Sequence, residues 1–199
     1  MKKNIPAALI WFRLLAGLLI VWLAFTDADR GWIVLLMTTG LLSDIFDGII
    51  ARRLNISTQT LRRLDSSVDQ VFWLSIVVAT YIITPGFYKE NWVSIIILLS
   101  AEALCYVVCY LRFRKKVATH AIAFKIWTLI LFATLVDIVL NSTSCFWFQL
   151  CLYTGLLTRL EVLSILLLIR EWTNDVPSVY HAIRLRNGKT IKRNKMFNG

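Results

Sequence analysis

Residues 43–70 read SDIFDGIIARRLNISTQTLRRLDSSVDQ. An apolar run of roughly 31–53 ends in this stretch, and another of roughly 65–84 begins in it. Four of the chain's 12 acids, Asp44, Asp47, Asp65 and Asp69, fall inside it. Acids in an apolar helix are costly and mark function. On a helix turning about 100° per residue, Asp47 lies about 60° from Asp44 on one side. Gly48, Ala51 and Arg52 fall within about 80° of Asp44, and Gly40 shares the stripe. Asp65 and Asp69, at i and i+4, share a face of the next helix. The loop of about 54–64 is short, so the two helices are expected as antiparallel neighbours whose acidic faces meet.

The whole chain supports a membrane setting. Of its 199 residues 58% are apolar and 17% charged, with a mean hydropathy of +0.67. A soluble domain carries about 25% charged residues. This composition excludes a disordered chain, a coiled coil and a typical nucleic-acid-binding domain. A bilayer core of about 30 Å needs about 20 apolar helical residues. Six such runs are expected, near 7–25, 31–53, 65–84, 92–111, 122–140 and 146–169. The first is too long for a signal-peptide core and lacks a cleavage site. The expected fold is thus an all-α integral membrane protein of six transmembrane helices in one bundle. Residues 1–175 form its single domain and 176–199 a basic tail. With the N-terminus inside, seventeen of the 22 Lys and Arg lie in inner segments, and only Arg30 and Lys89 in outer loops. That asymmetry places both termini in the cytoplasm. It also assigns the net charge of +10 to the membrane surface and not to nucleic acid. The four Cys lack metal-ligand spacing, and Cys105 and Cys109 read as buried thiols.

Four carboxylates in one low-dielectric place repel each other, and a divalent cation resolves the repulsion. All-oxygen ligands favour Mg²⁺, or else Mn²⁺ or Ca²⁺, and three or four carboxylates hold two such ions. Gly48 and Ala51 leave room for a substrate to approach the helix, and Arg52 beside them suits a phosphate. The bland alternative is an interfacial salt-bridge cluster with Arg52, Arg53, Arg62 and Arg63.

These residues resemble the signature of the CDP-alcohol phosphotransferases, D-x2-D-G-x2-A-R-x8-G-x3-D-x3-D. Asp44, Asp47, Gly48, Ala51, Arg52, Asp65 and Asp69 match in identity and spacing. Leu61 stands where the family usually has Gly. The N-terminal IPAALIWFRLL is also similar to the family's usual start. The resemblance implies a membrane phosphotransferase of phospholipid synthesis. A CDP-linked donor, for members of this size usually CDP-diacylglycerol, gives its phosphoryl group to an alcohol and releases CMP. It implies Asp44, Asp47 and Asp65 as metal ligands, with Asp69 completing a second ion and serving as catalytic base. It implies Asp47, Gly48, Ala51 and Arg52 as the CDP cradle, Mg²⁺ or Mn²⁺ as cofactor, and a homodimer. The setting expected is the cytoplasmic face of a bacterial membrane.

The acceptor is expected to be glycerol 3-phosphate, with inositol phosphate, serine, or a CDP-amino-alcohol donor with diacylglycerol acceptor as alternatives. Its candidate ligands are Lys125, Arg13 and Arg159. Arg13 either contacts the acidic cluster or a phosphate, or snorkels inward. Glu102 and Asp137 are expected in interhelical pairs. A reading of another class is a divalent-cation carrier, but the acids lie at the inner boundary and have no polar counterpart outside.

Overall fold

A computed structural model describes residues 5–53, 59–115, 122–173 and 176–187. Eight helices make up the described structure, with no strand among the described residues. They are α1 (Ile5–Phe25), α2 (Arg30–Arg53), α3 (Gln59–Ile83), α4 (Pro85–Glu90), α5 (Trp92–Phe113), α6 (Ile122–Asn141), α7 (Phe146–Leu168) and α8 (Val179–Arg186). Five of them (α1, α3, α5, α6 and α7) are long and apolar enough to cross a membrane. They fit a multi-pass integral membrane protein. Six such helices were expected. The remaining long helix, α2, has the length, and side chains in its C-terminal half, at 48 and 51–53, lie outside the described residues.

The chain folds as two compact units, residues 1–89 with 135–144, and residues 90–134 with 145–199. In the first unit the backbone of α1 packs closely on both α2 and α3, while α2 and α3 meet through side chains, Phe72 against Gly40 and the acids of both helices. The sequence suggested α2 and α3 as neighbours whose acidic faces meet; their acids do come together, and α1 is the closely packed partner that both helices share. Small residues explain the close approach, as expected for helices in lipid. A Cβ added at Gly17 of α1 would sit 3.2 Å from Ser75 Oγ and 3.4 Å from Phe72 Cα of α3. A Cβ at Gly40 of α2 would overlap the Phe72 ring. Gly40 therefore serves packing rather than the acidic face. Ser43 Oγ donates to the Leu9 carbonyl at 3.2 Å and ties α2 to α1.

The buried stripes follow helical spacing. On α1 they run Ile10, Arg13, Ala16, Ile20, Ala24; on α3, Val68, Phe72, Ile76, Ala79. On α2 the stripe runs Ile33, Met37, Ser43 and ends on Asp47. The opposite faces expose Trp11, Leu15, Leu18 and Trp22, as lipid contact requires. Hydroxyls within these apolar helices are satisfied locally. Ser75 donates to Val71 O at 2.8 Å and Thr158 to Thr154 O at 2.7 Å.

In the second unit α5 packs on α7, through Cys105, Cys109, Val162 and Leu166. All four cysteines are free, and Cys145 alone of them is exposed. Val176 and Ala182 pack against Ile165 and Ile169, so the segment after 175 begins as a folded extension of α7. The rest of the expected basic tail, 188–199, lies outside the described residues.

Candidate active site

Asp44 and Asp47 arrive from the C-terminal half of α2, Asp65 and Asp69 from the N-terminal half of α3. All four meet the guanidinium of Arg13, which α1 inserts between them. Arg13 is 1% exposed. Its Nη1 lies 2.9 Å from Asp44 Oδ1 and 3.2 Å from Asp65 Oδ1, and pairs with Asp69 as well. Its Nη2 donates to Asp47. Asp47 is the deepest acid, at 4%, because it continues the buried stripe of α2. The side chains of Asp44, Asp65 and Asp69 are about a third exposed or more, at 42%, 34% and 31%. One end of the site is thus sealed by α1, and three carboxylates are open to an incoming group.

The cluster fits a hard cation. Carboxylate oxygens of Asp44, Asp47 and Asp65 lie within 4.8 Å of one another, so one ion could bridge them. The donors are all oxygen, the set that Mg²⁺ and Mn²⁺ prefer. Side-chain positions at Gly48, Ala51, Arg52, Leu61, Arg62 and Arg63 lie outside the described residues, although their backbones continue α2 and α3. The side chains of Arg52, Arg53, Arg62 and Arg63, which the salt-bridge alternative names, lie outside the described residues; among the described ones the acids pair with Arg13.

The other two acceptor candidates belong to the second unit. Lys125 is exposed near the start of α6. Arg159 is 4% exposed and already engaged. Its Nε donates to Glu102 at 2.8 Å, and its guanidinium lies 3.7 Å from the Trp127 ring centre. Glu102 therefore does form an interhelical pair, α5 to α7. Asp137 does not: its described partner is Asn141 of the same helix, at 2.6 Å. Arg112 was read as a topology charge. It also donates to the Leu167 and Ile169 carbonyls at 2.8 and 3.0 Å, closing the C-terminus of α7. No periodicity in the sequence signals that cap, because the two partners are 55 and 57 residues apart.

Apolar helices of membrane length, with a four-carboxylate centre carried by α2 and α3, define a helical membrane protein built around an acidic site. The family model for CDP-alcohol phosphatidyltransferase matches residues 3–172, and the chain belongs to that family. No curated protein and no solved structure matches the chain. Membership makes it a transferase of phospholipid synthesis, one that moves a phosphatidyl or other substituted phosphate from a CDP-alcohol to an acceptor. The family is typically dependent on a divalent metal, in keeping with the acidic cluster.

Proposed function

We propose that the protein transfers a phosphatidyl group from CDP-diacylglycerol to a small polar alcohol, with glycerol 3-phosphate the first choice, and releases CMP. The observation that carries this reading is the meeting of Asp44, Asp47, Asp65 and Asp69 at one point. These are the acids of the family pattern. In this reading they hold two Mg²⁺ or Mn²⁺ ions. Such ions, when bound, neutralise the diphosphate and stabilise the departing CMP.

The chain's own residues orient the reaction. By the family pattern Gly48 and Ala51, which carry almost no side chain, receive the cytidine diphosphate, and Arg52 holds a phosphate through its planar fork. Asp69 accepts the proton of the acceptor hydroxyl. That oxygen bonds to the phosphorus bearing the diacylglycerol, and the bond from this phosphorus to the CMP oxygen breaks. In this topology α2 also spans the membrane and brings the spans to six, both termini are cytoplasmic, and the site faces the cytoplasm of a bacterial cell. The cation asymmetry supports it. A donor with its tails in lipid and its nucleotide in water suits such a boundary. The protein works as a homodimer in this reading.

The test is identification of the lipid product by mass spectrometry. Purified protein is given CDP-diacylglycerol, Mg²⁺ and one acceptor at a time: glycerol 3-phosphate, inositol phosphate or serine. Phosphatidylglycerol phosphate is the expected product. A product formed only from a CDP-amino-alcohol and diacylglycerol would replace the donor.

A further inference from the structure

The guanidinium of Arg13 is placed for charge more than for hydrogen bonding. One nitrogen, Nη1, faces Asp44, Asp65 and Asp69. It carries two hydrogens for these three carboxylates. Of the four acid contacts, those to Asp65 and Asp47 are aligned as hydrogen bonds. Meanwhile Arg13 Nε is buried with no acceptor among the described residues. The guanidinium is overcommitted on one side and idle on the other.

We infer that Arg13 is a built-in counter-cation, which holds the four carboxylates together while no ion is bound and competes with divalent ions for them. The inference rests on the metal reading above and adds the regulation of that site. Nη1 lies against Asp44 Oδ1 and Asp65 Oδ1, on two of the three carboxylates that come within 4.8 Å of one another. A cation held by those carboxylates meets the positive charge of Nη1 at close range and is expected to displace it. One guanidinium offsets one of four negative charges, so ions remain attractive. The stem of Arg13 lies in the buried stripe of α1, so the displaced head stays beside the site. Freed of the acids, it offers its donors to an anionic phosphate.

The test uses full-length protein in detergent with Mn²⁺ alone, and counts free Mn²⁺ by its paramagnetic resonance signal. Arg13→Gln is expected to bind Mn²⁺ about tenfold more tightly than the wild type, on the scale of the shift an adjacent guanidinium imposes on a carboxylate. Without ions the variant should unfold at a lower temperature, and saturating Mn²⁺ should close the gap. Should Arg13→Gln not fold, Arg13→Lys, a cation without the guanidinium fork, should bind Mn²⁺ about threefold more tightly. Mn²⁺ bound equally or more weakly by the variant overturns this inference alone. A wild type that binds no Mn²⁺ overturns the metal reading and this inference together.

Discussion

Asp47 shows how one residue can belong to two patterns. Its place on the buried stripe of α2 makes it a core position, and its carboxylate makes it a site residue. Asp47→Asn keeps the shape and removes the charge that faces Arg13. We expect Mn²⁺ affinity and CMP release to fall by about a hundredfold or more, beyond the cost of losing an outer-shell partner. Titration of both proteins with Mn²⁺ checks this. Gly40 is the opposite case, a position with no chemistry and no room. Gly40→Leu forces a side chain into the Phe72 ring. It should cost about 1–3 kcal/mol, read as a lower unfolding temperature. Arg159→Met leaves Glu102 without the bond it makes at 2.8 Å. The expected loss is about 1–3 kcal/mol, and Glu102→Gln in the same chain should recover part of it.

At the scale of elements, α1 decides the geometry of the site. It packs on both α2 and α3 and delivers Arg13 between them. The acids were legible from the sequence because their periodicity is local: Asp44 with Asp47, and Asp65 with Asp69. The partner was legible only as a candidate, since Arg13 and Asp65 lie 52 residues apart and no local spacing links them. Long-range contacts also explain the other surprises. Arg112 reads as one more inner cation, yet it closes α7; Gly40 reads as part of an acidic face, yet it seats Phe72. Arg112→Ala opens the end of α7, where Ile165 and Ile169 carry α8. We expect faster proteolysis within residues 170–187 at little cost to global stability, about 1 kcal/mol.

Across the whole molecule, the apolar faces and the cation asymmetry make one prediction about orientation. The loop holding Cys145 lies on the outer side in the proposed topology. Cys145 is exposed, whereas Cys105, Cys109 and Cys151 are buried. A membrane-impermeant maleimide should therefore label intact cells at Cys145, and Cys145→Ser should abolish the labelling. The helices and their membrane character were legible because apolar length is a property of the sequence alone, and α2 carries two of the site's acids within that length. The central claim is that the four acids serve metal-dependent phosphatidyl transfer. Its most direct test is CMP release from CDP-diacylglycerol by the purified protein, with acceptor, with and without Mg²⁺. The account predicts release that requires both the ion and Asp69, and that Asp69→Asn abolishes. Release that persists in chelator or in Asp69→Asn, or no release from folded protein with any acceptor, would contradict it.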